Sequence, residues 1–431
     1  MLMYDLIVIG AGWAGFSAAE YASKHGFKTA LIERDALGGT CLNYGCIPTK
    51  TLLNTTKLLS QFKKSAKFGI SVGAVSVDLQ QLNLRVTEVI SHLKSGIESL
   101  VKVNKIDLIT GSARIKTPTK IEVNGQVLKT KYILIATGSR PMELPGIKFD
   151  GNKIISSTEA LGLTMLPESL LIIGGGVIGC EFAEVFLTLG SKVEIVELTE
   201  NLLPGIDKEV AKKIEVALKK KGAKISLKTD ASTLDFNSYE KVLLCVGRVP
   251  QSDCWDGALD IQKERSKIMV NEFLQTNIPT IYAAGDCIGG YLLAHAASYE
   301  GRLAVKNMLA NNKEKVSYKA IPAGIFTNPE IATVGLREEE ARKKYPEIII
   351  KKFDFRALGM SYVIDEMDGF IKIIADKDEN LLGASIIGPK ATELIHVLTV
   401  ALNNGLQLRH IRDTIFAHPT ISEIIAETLL H

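Results

Sequence analysis

The chain has 431 residues, 46% hydrophobic and 23% charged, with a formal net charge of +3 at pH 7. That length supports two or three domains with full cores. So small a charge gives nucleic-acid or membrane-surface binding little support, and neither is expected. Six cysteines in a chain this long make no disulfide framework and suit the cytosol, where catalytic rather than structural disulfides persist.

Residues 1–19 are apolar but lack a basic flank, and glycines interrupt them, so they do not read as a signal segment. No apolar run approaches the roughly 20 residues that span a bilayer. A cytoplasmic location is expected. Residues 5–9 form a buried-strand pattern, followed at once by Gly10, Gly12 and Gly15. A helix over 13–25 follows, then a strand over 29–32 ending in Glu33.

Cys41 and Cys46 come next, within Gly-Gly-Thr-Cys-Leu-Asn-Tyr-Gly-Cys-Ile-Pro-Thr-Lys at 38–50. Two thiols at this spacing in a cysteine-poor chain are a candidate two-electron carrier. In a regular helix residues five apart lie roughly 8–9 Å apart, whereas a disulfide needs less than ~7 Å between Cα atoms. The helix must therefore distort or start between the cysteines, and Gly38, Gly39, Gly45 and Pro48 suit that. Cys180, Cys245, Cys254 and Cys287 read as core or incidental residues.

A strand over 132–137 runs into Ala136-Thr137-Gly138-Ser-Arg-Pro141. The first series then returns. Residues 170–173 lead into Gly174, Gly176 and Gly179, a helix to about 189, and a strand over 193–196 ending in Glu197. The pairs 10/174, 12/176, 15/179 and 33/197 all differ by 164. The first glycine makes a tight turn, the second lets backbone approach a pyrophosphate, and the third lets helix pack on strand. The helix start presents free N–H groups to phosphate, and the acid accepts from ribose hydroxyls. Two such units mean two bound dinucleotides.

Residues 207–221 form an amphipathic helix whose lysines are a solvated face. A strand over 241–246 runs into Gly247, and residues 278–286 form a third strand and turn, with Asp286 just past its end. From 318 the pattern changes to strands at 331–334, 348–355, 369–375 and 382–387, then helices at 392–403 and 408–415. This is a separate α+β domain. His418 is the best candidate base for a thiol, with Pro419 fixing its backbone and Glu423 near enough to orient its ring.

These motifs, in this order from one end to the other, resemble the class I pyridine nucleotide–disulfide oxidoreductase family, and most closely its dihydrolipoamide dehydrogenase branch. The resemblance implies an α/β fold of two Rossmann-like dinucleotide-binding domains, one inserted in the other, plus a C-terminal α+β dimerisation domain. It implies an FAD-binding domain at 1–147 and 271–316, an NAD-binding domain at 148–270 and an interface domain at 317–431. FAD would be held by Gly10, Gly12, Gly15, Glu33, Thr40, Ala136, Thr137, Gly138 and Asp286. NAD would be held by Gly174, Gly176, Gly179, Glu197 and Gly247.

By the same resemblance, Cys46 faces the flavin and Cys41 meets the substrate. Lys50 and Glu181 pair beside the flavin's reactive nitrogen, and His418, held by Glu423, comes from the other subunit of a homodimer. The partner would be a lipoyl domain of an acyltransferase (E2) or of a glycine-cleavage H-type protein. No cysteine follows Cys287, which disfavours relatives with a second C-terminal pair. Glu197 would repel a 2′-phosphate and favours NAD, and Val177 stands where glutathione reductases carry a tyrosine. About fifteen residues join the strand near 225 to that at 241, where the family has a small strand excursion. Another disulfide reductase of the family, or a flavin-binding redox or structural subunit, are the alternatives.

Overall fold

The computed structural model describes residues 3–257 and 259–431. Met1 and Leu2, at the head of the apolar start, and Ala258 lie outside them. Two compact units make up the chain: Met1–Thr51, Gln80–Met142 and Gly247–Val316 form one, and Leu52–Leu79, Glu143–Val246 and Ser317–His431 the other. No helix among the described residues is long and apolar enough to cross a membrane.

The first unit is built on a parallel sheet ordered Asp107–Thr110, Thr29–Glu33, Met3–Ile9, Gln126–Ile135 and Ile281–Ala283. Leu6, Ile7 and Val8 are fully buried, as expected for a strand covered on both faces. Two short strands, Arg114–Thr117 and Lys120–Val123, extend it antiparallel from the start of Gln126–Ile135. The helix Trp13–Lys24 buries a face of small residues, Ala14, Gly15, Ala18 and Ala22 among them. Small residues let another helix, Ala294–Ala310, approach so closely that a Cβ on Gly301 would lie 2.1 Å from the Ala14 carbonyl oxygen.

The second unit holds two sheets. One is parallel, ordered Lys224–Ser226, Lys192–Val196, Ser169–Ile173, Lys241–Leu244 and Ile154–Ile155. The other is antiparallel, ordered Ala323–Ile325, Glu330–Gly335, Leu381–Gly388, Phe370–Asp376 and Ile348–Asp354. The helix Ala391–Asn403 packs on it through Leu394, Ile395 and Leu398. The fold class expected from the motifs is the one observed, a mixed α/β chain with a C-terminal α+β portion.

The repeat extends to its hydrogen bonds. Gly10 N–H donates to Ile32 O and Gly174 N–H to Val196 O, both at 2.8 Å. Ala136 N–H donates to Ile9 O and Cys245 N–H to Ile173 O, at 2.8 and 2.9 Å. The join between 226 and 241 carries two 3₁₀ turns, Ala231–Thr233 and Phe236–Ser238, and no strand. The short helix Leu408–Arg412 ends earlier than the pattern to 415 suggested, and a further helix, Glu423–Leu430, follows it. Past Arg412 the Thr414 hydroxyl donates to the His410 carbonyl oxygen at 2.7 Å, an alternative to the helical bond that such side chains offer.

Candidate active site

The cysteine segment breaks where the distance argument required. A short helix, Gly39–Tyr44, carries Cys41; Gly45 then leaves helical geometry at φ −147°, ψ −108°, and a new helix, Cys46–Lys64, begins at Cys46 itself. The new helix opens with Thr49 N–H donating to Gly45 O at 3.1 Å. Pro48 falls in its first turn, where its missing N–H would have been unpaired anyway. Gly39 has φ +56°, and a Cβ there would lie 2.7 Å from the Gly12 Cα. The dithiol loop thus rests on the first glycine turn, backbone against backbone.

Cys41 and Cys46 are thiols not joined in a disulfide, each half-buried. A hydrogen bond with Cys46 pushes the Cys41 pKa far up, burial and Cys46's charge add to this, and the Trp13 N–H and the Lys50 charge oppose it. Burial pushes Cys245, Cys254 and Cys287 up to about 12, and Cys180 higher still. Those four stay protonated and unreactive at neutral pH. The two segments singled out around Gly138 and Gly247 pair with each other: Ser139–Pro141 runs antiparallel to Arg248–Pro250. Arg248 Nε donates to Ser139 Oγ at 2.7 Å, and Ser139 Oγ donates to Asp286 Oδ2 at 2.5 Å. Burial lowers the Arg248 pKa, against the charges of Asp286 and Cys46. Ser139, Arg248 and Trp13 were not singled out from the sequence, although Ser139 lies inside a quoted motif and Arg248 directly follows Gly247.

Each fingerprint acid binds its own turn. Glu33 Oε2 accepts the Ala11 N–H at 2.6 Å and Oε1 the Asp35 N–H at 2.9 Å. Glu197 Oε2 accepts the Gly175 N–H at 2.7 Å and Oε1 the Thr199 N–H at 2.8 Å. Carboxylates with backbone donors on both oxygens keep lone pairs for ribose hydroxyls. A Cβ at Gly176 would meet nothing within 4 Å, and one at Gly12 only the Gly39 Cα at 4.0 Å. The space ahead of the helix starts at Trp13 and Val177 is therefore open to a pyrophosphate, so the residues fit FAD and NAD. Thr137 is tied by its hydroxyl to Gln251 O at 2.6 Å, and Gly138 has φ +71°. Ala136 is buried at the sheet end and Thr40 is exposed in the dithiol helix. Gly247 carries φ +122° beside Met142.

In the second unit, His418 Nδ1 lies 2.7 Å from Glu423 Oε1, and Glu423 Oε2 accepts the Thr420 N–H at 2.7 Å. The His418–Pro419 bond is cis. The His418 side chain is 82% exposed. Glu181 is buried and accepts the Phe326 N–H at 3.0 Å. Lys50 belongs to the first unit and Glu181 to the second.

Residues 4–301 match the family model described as pyridine nucleotide-disulphide oxidoreductase, and 321–429 match that family's dimerisation domain. The chain is 39% identical to a dihydrolipoyl dehydrogenase of Chlamydia pneumoniae, covering 99% of this chain and 96% of that protein. It is 38% identical to one of Bacillus subtilis, covering 99% and 97%. Among solved structures it resembles the HOCl-induced flavoprotein disulfide reductase RclA of Escherichia coli, in its Cu(II) complex. That likeness has a TM-score of 0.88 and 28% identity, covering 100% of this chain and 99% of that one.

Proposed function

The chain belongs to the pyridine nucleotide-disulphide oxidoreductase family, and from that premise we propose that it is an NAD-dependent dihydrolipoyl dehydrogenase. The single observation that carries the dithiol chemistry is the helix break at Gly45, which frees Cys41 and Cys46 to share a hydrogen bond. The names of the full-length relatives support the substrate.

In the proposed reaction the oxidised enzyme holds a Cys41–Cys46 disulfide. His418 of the partner subunit takes a proton from one thiol of dihydrolipoamide, and that thiolate attacks the Cys41 sulfur. The Cys41–Cys46 bond breaks, leaving a mixed disulfide at Cys41 and a thiolate at Cys46. Cys46 is the first residue of its helix, where the positive end of the helix dipole favours negative charge. The partner subunit's His418 passes that first proton to solvent and takes the proton of the second substrate thiol, whose thiolate attacks the substrate sulfur of the mixed disulfide; the bond from that sulfur to Cys41 breaks, and oxidised lipoamide leaves. Bound FAD would supply an acceptor for the electron pair of the dithiol, and bound NAD the final two-electron acceptor. Gly10, Gly12, Gly15, Glu33, Thr40, Ala136, Thr137, Gly138 and Asp286 would hold the first, with Arg248 and Ser139 fixing the Asp286 carboxylate. Gly174, Gly176, Gly179, Glu197 and Gly247 would hold the second. Lys50 and Glu181 would flank the flavin.

The domain division assigned is 1–147 with 271–316 for FAD, 148–270 for NAD and 317–431 for the dimer interface. A homodimer is supported by the dimerisation-domain match and by Ile415, 97% exposed three residues before His418. Lipoyl domains of an E2 or of an H-type protein are the partners assigned by the same reading. Six cysteines spread over 431 residues, too few for a disulfide framework, suit a reducing cytoplasm.

The test is a Cys46→Ser variant assayed with dihydrolipoamide and NAD. FAD stays bound and turnover is lost; undiminished turnover would sink the mechanism. The wild type is assayed in parallel with dihydrolipoamide and with glutathione. A higher kcat/KM for glutathione would move the substrate to another disulfide reductase class.

A further inference from the structure

Trp13 opens the helix that follows the first glycine turn. Its indole Nε1 is sealed from solvent with no acceptor in hydrogen-bond geometry. Buried donors without partners are costly and rare in native structures. Among the described residues the other such side-chain atom is Ser361 Oγ, far from any dinucleotide motif in the chain. Trp13 instead sits at the redox pair. The Cys41 thiol is driven up in pKa first by its hydrogen bond with Cys46, then by burial, and the Trp13 N–H pulls against both. A neutral thiol is a weak acceptor, whereas a thiolate is a strong one. The donor therefore stands beside a sulfur that accepts it weakly as a thiol and strongly as a thiolate.

We propose that the Trp13 indole N–H is the donor that stabilises the Cys41 thiolate when Cys41 leaves the mixed disulfide. The inference rests on the dithiol reading above. In that step the second substrate thiolate bonds to the substrate sulfur, and the bond from that sulfur to Cys41 breaks. The electron pair stays on Cys41 Sγ until a proton arrives from the imidazolium of His418 of the partner subunit. The charged and titratable groups acting on the pair are Cys46 and Lys50 from the helix Cys46–Lys64, and Arg248 with its neighbour Asp286 from the strand and turn beyond. Lys50 favours the anion by charge alone, at a reach that does not depend on angle. Trp13 adds a directed donor, and its rigid ring keeps the N–H in place at little entropic cost.

The test uses the Cys46→Ser full-length protein with FAD bound, so that Cys41 is the remaining thiol of the pair. The other four cysteines are buried or held protonated. The rate of iodoacetamide alkylation is followed from pH 6 to 10, with the labelled peptide identified by mass, with and without Trp13→Phe. Trp13→Phe keeps a ring and removes the donor. The expected result is an apparent Cys41 pKa higher by about one unit, and so about tenfold slower labelling at pH 7. Trp13→His, which carries a ring N–H, restores part of the rate and guards against a Phe variant that folds poorly. A pH profile unchanged by Trp13→Phe overturns the proposal. So does loss of FAD absorbance with an unchanged profile, which would assign the N–H to the cofactor. The readout needs neither dihydrolipoamide nor NAD, so its failure is distinguishable from failure of the dehydrogenase reading.

Discussion

Glu423 Oε1 lies 2.7 Å from His418 Nδ1, and the other Glu423 oxygen is held by the Thr420 N–H at the same distance. The carboxylate is thus anchored at one oxygen and orients the imidazole with the other. On the proposed reading, the bonded ring nitrogen fixes the tautomer and leaves Nε2 to exchange protons with a thiol.

His418→Gln is expected to lower kcat by about 10²–10⁴-fold, the range of a lost general base, with FAD content unchanged. Glu423→Gln should lose less. The Thr420 N–H and then His418 hold the Glu423 pKa below the usual carboxylate value of 4.5. A depressed carboxylate stays charged above that value and loses its hold only as pH falls through the lowered pKa. The Glu423→Gln defect should therefore persist in full from pH 9 down to pH 5. A defect that vanishes by pH 6 would show that Glu423 does not act as an anion there.

Gly39 tests the contact between the dithiol loop and the phosphate turn. Alanine there must adopt φ +56° and bring its Cβ to 2.7 Å from the Gly12 Cα. The left-handed backbone alone costs about 1 kcal/mol, and the contact forces the two loops apart. The expected outcome for Gly39→Ala is purified protein with a reduced ratio of 450 nm to 280 nm absorbance, restored only by excess FAD. Full flavin occupancy would show that the turn tolerates the displacement.

Much of this architecture was legible because its chemistry is local. Glycine turns followed by helices announce themselves within thirty residues, and the 164-residue offset carried over to paired hydrogen bonds at Gly10 and Gly174. The break at Gly45 followed from comparing a helical distance with a disulfide's reach. What escaped were partnerships between distant segments. Arg248 meets Ser139 across 109 residues, and no periodicity in either stretch announces it. The Trp13 N–H looked like part of an ordinary apolar helix face, because burial of one atom is not a property of sequence. Lys372, in an otherwise apolar strand, gave no sign of the carboxylates it meets.

Glu197 separates cofactor affinity from chemistry. Its two oxygens accept the N–H groups of Gly175 and Thr199, and Glu197→Gln turns one acceptor into a donor facing a donor. Leaving one such buried group unpaired costs about 1–3 kcal/mol, or roughly 5- to 150-fold. KM for NAD should rise by about that factor, with kcat and the flavin spectrum little changed. An equal fall in kcat with KM unaltered would place Glu197 outside nucleotide binding.

Lys372 is 2% exposed and reaches three carboxylates, Asp207 at 3.1 Å, Glu209 at 3.1 Å and Glu338 at 3.0 Å. Burial alone would depress its pKa, but the hydrogen bonds to Glu338 and Asp207 outweigh that and hold it above the usual 10.5. Glu209 and Glu338 are held below the usual 4.5; Lys352 is the largest influence on Glu209, whereas at Glu338 burial opposes the effect of Lys372. Lys372→Met strands Asp207, itself only 3% exposed, and should cost about 3 kcal/mol, as removing one partner of a buried pair does. The signs set the window. A raised lysine stabilises fully below its ordinary value and stops doing so as pH rises through the folded one. Depressed carboxylates stabilise above their ordinary value and stop as pH falls through theirs. The gap in unfolding free energy between wild type and Lys372→Met, read by urea titration, should be flat from about pH 6 to 9 and narrow toward either extreme. A gap that widens in acid would mean that the cluster is held together by something other than its charges.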